Sequence, residues 1–335
     1  MFRKSSYKLR WFVTYALTLV VVARAGDTTG QQQEAVSLLA RSMSVSNIRA
    51  TGSVPFHLHI TVKTEHITAK PLEGDYDEVW SAPDKWRREI VFPGLRQVEV
   101  GDKDSRWLDR NLDFRPHAVY LISWLVDSVV PPALFPEEDV EKVRTRKKDG
   151  MELRCMELKS VGSRRVLCFN GTGSLSSRDS DVSRFEYLDY GNFQGKQFPR
   201  TMLVFEDGHK VLEARVETLE AASKIDATYL HPPATAKEMA LCEPMEEQKP
   251  KKRVSPEYPQ AARAAHQQGA VTMYALLGPD GAVQTVKILQ SAGPALDKAS
   301  VEAVKQWVFP PVRCGATPLP TEQEVRVRFT IGGPP

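Results

Sequence analysis

The sequence predicts an α+β protein of two domains, each built on an antiparallel sheet that is covered by helices. Short runs of alternating apolar and polar residues, separated by Pro, Gly and Asp, recur from residue 56 to residue 219 and indicate a meander of strands. A compact αββαβ pattern follows from residue 255. With 335 residues, 41% of them hydrophobic, the chain is long enough to bury two ordinary cores.

The first 25 residues have the pattern of an export signal. Basic residues precede the apolar run 11–22, and Ala23-Arg24-Ala25 has the small-x-small form of a cleavage site. The apolar run is shorter than the about 20 residues that a membrane-spanning helix needs. We therefore predict cleavage after Ala25 and a periplasmic protein. The alternative is an uncleaved signal that anchors the chain in the inner membrane.

Export allows the four cysteines to oxidise. Cys155 and Cys168 lie in two strand-like segments joined around Val161-Gly162, and a two-residue turn there would place them directly opposite each other. Cys242 and Cys314 are the second candidate pair, although four cysteines allow three connectivities. The chain has no C-x-x-C pair, so a zinc site is not expected.

The first elements after the signal are a helix and a strand. Residues 31–45 carry Ala35, Leu38, Leu39 and Met43 at helical spacing, which predicts an amphipathic helix. Apolar residues then alternate with polar ones from Phe56 onward, which predicts a strand with one packed face. Further strands are predicted at 75–81, 85–92, 95–101, 105–111, 151–158, 164–169, 183–190, 200–207 and 210–219.

A second helix interrupts the strands at residues 117–130, just after Pro116. Its apolar residues run nearly all the way round, so we expect it to be buried against the sheet. The early helix, the many strands, this internal helix and the stretch WSAPDKWRREIVFPGLRQVEV resemble the LolA and LolB lipoprotein carriers. The resemblance covers roughly residues 31–235.

That resemblance implies an antiparallel half-barrel with an apolar concave face that could shelter an acyl chain of a lipid or lipoprotein. The candidate lining residues of such a lipid pocket are Phe56, Leu58, Ile60, Val62 and Trp86. The same side chains would equally form an ordinary core between sheet and helix. A polar linker, in which acids lead and bases follow, is then expected over residues 236–254.

The C-terminal unit is predicted element by element. Pro259 opens a short helix that Gly269 would stop, and Gly278-Pro279-Asp280-Gly281 forms a tight turn between two strands. Pro294 opens a second helix. The last strand alternates strictly, so Val325, Val327, Phe329 and Ile331 should face the helices while Glu324, Arg326, Arg328 and Thr330 face outward.

This order, with YPQAAR, GPDG, LDKASVEAVKQWVFPP and the closing VRVRF, resembles the TonB C-terminal domain over residues 255–333. The resemblance implies a three-stranded antiparallel sheet whose exposed edge accepts an extended "TonB box" segment of an outer-membrane transporter. An open edge leaves N–H and C=O groups that a partner strand can pair. The candidate binding residues are Glu324, Val325, Arg326, Val327, Arg328, Phe329 and Thr330.

Two alternatives for this edge stay open. Its charged residues could simply protect the edge against aggregation, or the edge could make a homodimer. Residues 249–335 contain eleven Lys plus Arg and six Asp plus Glu, a balance of +5 that favours an acidic partner segment. The net charge of the whole chain is only +3, so nucleic acid is not an expected partner.

The resemblance also implies features of a TonB energy transducer that we do not find in this sequence. A transducer is tethered to the inner membrane and has a long Pro-rich spacer, whereas this chain has a predicted cleavable signal and a folded domain in place of the spacer. We therefore expect a periplasmic adaptor that binds an extended segment. A lipid or lipoprotein carrier that uses the C-terminal unit for docking is the alternative.

An enzyme is not expected. The sequence lacks G-x-S-x-G, H-E-x-x-H, P-loop and G-x-G-x-x-G motifs, and no cofactor is predicted. His57 and His59 share one strand face, but without an adjacent Cys or carboxylate in sequence they are interpreted as outward polar residues rather than as a metal site. Asp75, Asp77 and Glu78 are assigned to a solvated strand face.

Overall fold

A computed structural model describes residues 30–67, 71–131, 133–134, 138–160, 163–181, 183–239, 250–314 and 317–331. The α+β class predicted from the sequence is confirmed, with a 13-stranded antiparallel sheet followed by a small unit with a three-stranded sheet. The signal segment 1–25 and Cys242 lie outside the described residues. Among the described residues, no helix is long and apolar enough to cross a membrane.

The large sheet is a meander in which almost every strand pairs with its neighbours in sequence. The strands are β1 (Phe56–Thr64), β2 (Leu72–Ala82), β3 (Lys85–Phe92), β4 (Leu95–Asp102), β5 (Ser105–Arg110), β6 (Asp139–Lys148), β7 (Met151–Ser160), β8 (Ser163–Phe169), β9 (Leu175–Ser180), β10 (Ser183–Phe193), β11 (Lys196–Glu206), β12 (His209–Ala221) and β13 (Lys237–Met239). Their order across the sheet is β13-β5-β4-β3-β2-β1-β12-β11-β10-β9-β8-β7-β6.

Two helices pack on one face of this sheet. Helix α1 (Gly30–Ser46) buries Ala35 and Leu39, whereas Met43, which was predicted on the packed face, is 45% exposed. Helix α2 (His117–Asp127) begins after Pro116 and buries residues on most of its circumference, as its apolar sequence predicts. It ends three residues earlier than predicted. One continuous core therefore joins α1, α2 and the inner face of the sheet.

The segment after β12 differs from the prediction. A solvated linker was expected from residue 236, but residues 237–239 form β13 and pair with β5, with Glu238 opposite Trp107. Ser105 Oγ donates a hydrogen bond to Glu238 Oε1 at 2.5 Å. The physical reason is that β5 would otherwise leave its main-chain groups unpaired at the edge of the sheet.

The hairpin β7–β8 carries the disulfide predicted from the sequence. Cys155 lies directly opposite Cys168 in the register, and the two are bonded, with their Cα atoms 4.0 Å apart. The proposed turn residues Val161 and Gly162 lie outside the described residues. Both cysteines are buried with Leu153 and Val166 in a small apolar cluster, on the face of the hairpin away from the main core.

Reduction of this disulfide is expected to lower the free energy of unfolding by about 3 kcal/mol, because the bridge closes a short loop in the unfolded chain. Chemical denaturation with and without reductant measures the difference. The Cys155→Ala/Cys168→Ala double variant is the control and should lose its sensitivity to reductant. Equal unfolding midpoints for the oxidised and reduced wild-type protein would contradict the expectation.

The C-terminal unit has the predicted order with shifted boundaries. It consists of α3 (Gln260–Ala264), β14 (Gly269–Leu277), β15 (Val283–Gln290), α4 (Pro294–Val304), the short hairpin β16 (Val312–Cys314) and β17 (Thr317–Leu319), and β18 (Thr321–Phe329). The first helix was predicted to end at Gly269 but ends at Ala264, and His266 takes the left-handed conformation after it. Gly269 begins β14 instead, with φ +151.

Candidate functional site

Strand β18 lies at one edge of the three-stranded sheet, whose order is β15-β14-β18. It pairs antiparallel with β14 along its whole length, with Val327 opposite Val271. Within the described part of the chain, the sheet contains no strand on the other side of β18. Nine residues of main chain therefore end the sheet on this side. Their role as a partner-binding edge stays a prediction.

The side chains of β18 alternate as predicted up to Phe329. Val325, Val327 and Phe329 are buried against the helices, whereas Glu324 and Arg326 are half-buried and Arg328 is exposed. Thr330 follows the end of the strand. Ile331 was predicted to face the helices, but it is 41% exposed because the strand has already ended.

The apolar face of the small sheet is sealed by the helices and by two aromatic anchors. Leu296 and Val304 of α4 belong to the same apolar core as the buried side chains of β14 and β18. The Tyr258 ring meets the Phe329 ring edge-on at 5.3 Å between centroids. Trp307 Nε1 donates a hydrogen bond to the Val254 carbonyl oxygen at 2.8 Å, which fixes the segment before α3. The edge strand thus rests on a rigid core.

The polar face of β18 is partly covered, because strands and loops of the first domain lie against it. Arg110 Nη2 donates to Glu322 Oε1 at 2.7 Å. Arg326 and Arg328 both donate to Asp207, which occupies the tight turn between β11 and β12. A row of ion pairs therefore connects the face of the small sheet to the first domain.

His117, the first residue of α2, is the most buried member of this row. It is 4% exposed, with Nδ1 2.9 Å from Glu324 Oε2 and Nε2 3.1 Å from Glu206 Oε2. Burial alone lowers the pKa of the imidazole, but the charges and hydrogen bonds of Glu324 and Glu206 outweigh it and raise the pKa to about 9. His117 is therefore a cation between two carboxylates at neutral pH.

The contact continues across the sheet to β14 and β15. Tyr274 Oη donates to Glu322 Oε1 at 3.0 Å, and the Tyr274 ring lies against the Phe114 ring. Lys287 Nζ donates to Asp113 Oδ1 at 2.5 Å and lies over the Phe114 ring. This interface was not predicted from the sequence. The loop 111–116 and the Asp207-Gly208 turn are visible in the sequence, but no local pattern pairs them with residues more than 100 positions away.

The candidate lipid-pocket residues all lie in the core of the first domain. Phe56, Leu58, Ile60 and Val62 are completely buried, and Trp86 is nearly so. Phe56 stacks on Trp80 at 5.5 Å between ring centroids. These side chains pack together with those of α1 and α2. Their assignment to a ligand pocket stays a prediction.

The two histidines of β1 meet carboxylates that the sequence did not place beside them. Asp77 lies directly opposite His59, with Oδ1 2.9 Å from His59 Nδ1 and 3.4 Å from His57 Nε2. The carboxylate thus partners both imidazoles on the outer face of the sheet. Within the part of the chain that the structure describes, no group of three or more His, Cys, Asp or Glu side chains could hold a metal ion.

Similar solved structures cover the first domain at low TM-scores. A LolA superfamily protein from Nitrosomonas europaea is 10% identical, with a TM-score of 0.39, and the likeness covers 59% of this chain and 97% of that one. A putative outer membrane lipoprotein-sorting protein domain from Vibrio parahaemolyticus is 9% identical, with a TM-score of 0.40, and the likeness covers 59% of this chain and 96% of that one.

The C-terminal unit has a match in sequence. Protein TonB of Vibrio cholerae serotype O1 is 33% identical over 81 residues, which are 24% of this chain. The match spans only 33% of that relative's length. Over residues 254–331, the C-terminal unit of this chain matches the family described as Gram-negative bacterial TonB protein C-terminal, as its sequence motifs predict.

Proposed function

We propose that this protein is a periplasmic adaptor whose C-terminal unit captures an extended segment of an outer-membrane transporter or another envelope protein. The segment would add to β18 as a fourth strand. The observation that carries this proposal is the nine-residue edge of β18, which pairs with β14 on one side alone among the described strands. Main-chain hydrogen bonds would supply affinity, and alternate side-chain positions would supply specificity.

The surroundings of β18 support a rigid edge rather than a flexible one. Its apolar side chains are anchored in the core of the unit, and its polar side chains are held by Arg110, His117 and Asp207 of the first domain. A preorganised edge loses little conformational entropy when a strand adds to it. The match to the TonB family over residues 254–331 supports the same binding mode.

The proposal is tested with the whole protein and a short peptide from the N-terminal region of an outer-membrane transporter. In an added strand only alternate N–H groups point at β18. We therefore compare two peptides, one N-methylated at its odd positions and the other at its even positions. Calorimetric titration should show that the peptide methylated at the N–H groups facing β18 loses binding, whereas the other retains it. Equal affinities for the two methylated peptides would contradict strand addition.

A matched change on the protein is Val327→Pro, which removes the main-chain donor that faces Val271 of β14 and so distorts the middle of β18. We expect binding of the unmodified peptide to weaken by roughly tenfold or more, because a distorted edge cannot align its outward N–H and C=O groups with an added strand. Circular dichroism checks that the sheet still folds. A folded Val327→Pro variant with unchanged affinity would place the binding site elsewhere.

The alternative function, a carrier for a lipid or lipoprotein, has less support. The five candidate lining residues pack among themselves and against the helices. The inner face at β2 and β3 also carries Glu78 and Arg88, which bond to each other in the interior. Native mass spectrometry of the purified protein tests this alternative, which predicts a bound lipid.

A further inference from the structure

The outer face of the hairpin β6–β7 and of β8 is strongly basic. Arg144 lies opposite Cys155, which lies opposite Cys168, so these residues share the face turned away from the main core. The inner face carries Met156 and Leu167, which belong to that core. By the same register, the outer face of these strands near the sheet edge carries Lys142, Arg144, Arg146, Lys148, Arg164 and the carboxylate of Glu157.

Three guanidinium groups converge on that carboxylate. Arg146 Nη2 donates to Glu157 Oε1 at 2.7 Å, and Arg144 and Arg164 form ion pairs with the same side chain. Glu157 is only 7% exposed at its side chain, whereas the three arginines are 38 to 52% exposed. One carboxylate cannot neutralise three guanidinium groups, so this surface keeps excess positive charge that solvent and ligands can reach.

One donor in this cluster has no acceptor. Arg144 Nε is buried and makes no hydrogen bond within the described residues. Buried polar groups are normally paired, so this orphaned donor shows that the guanidinium groups of the cluster outnumber the acceptors around them. A guanidinium group with free donors fits a planar carboxylate in particular, because the two can bond through parallel N–H···O contacts.

Two of these arginines, Arg144 and Arg146, lie on the terminal strand of the large sheet among the described residues. Strand β6 is the terminal strand of the order, and the turn Asp149-Gly150, with both φ positive, makes Lys148 and Met151 the hydrogen-bonded pair next to it. Strand alternation then points the N–H and C=O groups of residues 143, 145 and 147 away from β7. Gln31 of α1 accepts the Val143 N–H at 3.2 Å, which agrees with that direction.

We propose that this edge is a docking surface for an acidic extended segment of a partner protein. The segment would pair with the main chain at Thr145 and Lys147, and its alternate side chains would lie beside Arg144 and Arg146. The recognised pattern is therefore a carboxylate at every second residue. Lys148, at the end of the strand, already donates to Glu186 Oε1 at 2.6 Å. This surface belongs to the first domain and uses none of the residues of β18, so it goes beyond the proposed function and can fail independently of it.

Basic side chains on an edge strand also prevent unwanted pairing between copies of a protein. That role needs only scattered positive charge. It does not account for three arginines on one carboxylate or for the unpaired Arg144 Nε. An anionic lipid surface is the other source of negative charge, and the experiment separates it from a peptide.

The test uses the whole protein and a fluorescent peptide in which Glu alternates with Thr, with the Gln-for-Glu peptide as its control. Fluorescence anisotropy at low ionic strength should show binding of the Glu peptide alone. Arg146→Gln should weaken that binding roughly tenfold, because the peptide loses one charge-assisted hydrogen bond. Glu157→Gln should tighten it, because it frees the guanidinium groups from their internal competitor. Lys224→Gln changes an exposed cation outside this face and should have no effect.

Opposite effects of Arg146→Gln and Glu157→Gln, in variants whose circular dichroism matches the wild type, would support the proposal. Equal binding of the Glu and Gln peptides would overturn it, as would equal effects of Arg146→Gln and Lys224→Gln. Binding to vesicles that contain anionic lipid, with no binding of the Glu peptide, would also overturn it in favour of a membrane surface.

Discussion

Replacing Glu78 by Gln is expected to destabilise the protein by about 3 kcal/mol or more, because it leaves buried guanidinium groups without their counter-ion. Glu78 is completely buried in β2, on the same face as Tyr76 and Trp80. Arg88 Nε donates to Glu78 Oε1 at 3.2 Å, and Arg49 binds both carboxylate oxygens. The charge is therefore fully desolvated and fully paired.

The two arginines would respond differently to the loss of Glu78. Arg88 Nη2 also pairs with Asp127 Oδ1 of α2 at 3.0 Å, so it would keep one acidic partner. Glu78 is the only acidic side chain bonded to Arg49 among the described contacts. Most of the expected cost therefore falls on Arg49, which the variant would leave buried with no negative charge beside it.

The pH dependence of this cluster has a definite sign. Burial alone raises the pKa of Glu78, but Arg49 and Arg88 outweigh it and lower the pKa to about 2, from an ordinary value of 4.5. A depressed carboxyl pKa stabilises the folded state above the ordinary value, and the stabilisation is lost as the pH falls towards 2. The difference in unfolding free energy between wild type and Glu78→Gln should therefore shrink between pH 4.5 and pH 2.

Glu73→Gln is the matched control on the same strand. Glu73 is 75% exposed at its side chain and pairs with Lys63 on the surface. Surface pairs of this kind contribute about 0 to 1 kcal/mol. Denaturant unfolding of both variants at neutral pH compares them directly. A Glu78→Gln variant as stable as Glu73→Gln would show that the buried cluster does not hold β2 in place.

The strand patterns of this chain could be predicted from its sequence, and so could most of its turns. The alternation from Phe56 to Val62, the disulfide of Cys155 and Cys168, and the apolar helix that starts at His117 are all confirmed, because each depends on residues close in sequence. Helix ends were less accurate. At α3 the left-handed position falls on His266, and Gly269, the residue with the strongest stop signal, begins a strand.

The position of Glu78 was predicted incorrectly, although the alternation of the strand sequence indicates the correct one. It was assigned to a solvated face together with Asp75 and Asp77. In a strand of period two, however, residue 78 shares the face of residues 76 and 80, and the structure buries it with Tyr76 and Trp80. Asp77 remains on the outer face beside His59. The alternation of the strand therefore places Glu78 on the inner face and Asp75 and Asp77 on the outer face.

The contact between the domains could not be predicted in this way. Its members come from strand ends, loops, a helix start and a turn of the first domain and from β15 and β18, and the residues that meet are separated by 119 to 224 positions. No local period links such residues. Charges on the outward face of β18 were correctly expected, but their partners could be found only once the strand order and the position of α2 were known.

Removing the charge of His117 by His117→Gln is expected to weaken this contact by about 3 kcal/mol at neutral pH, since a pKa raised from 6.5 to about 9 corresponds to that much stabilisation of the folded state. Glu206 would keep Arg326, whose Nη1 lies 3.6 Å from its Oε2, but Glu324 would lose its cation. A raised histidine pKa stabilises the folded state fully below pH 6.5, and the stabilisation is lost as the pH rises through 9.

Calorimetric melting of the wild type and His117→Gln between pH 6 and pH 10 measures this stabilisation. The melting temperatures should differ most at pH 6 and converge above pH 9, because the neutral imidazole of the wild type then resembles the uncharged amide of the variant. His231→Gln changes an exposed histidine and should give curves parallel to the wild type throughout. A constant gap between His117→Gln and the wild type across this range would mean that His117 acts by packing alone, and the ion-pair account of how the first domain holds β18 would be wrong.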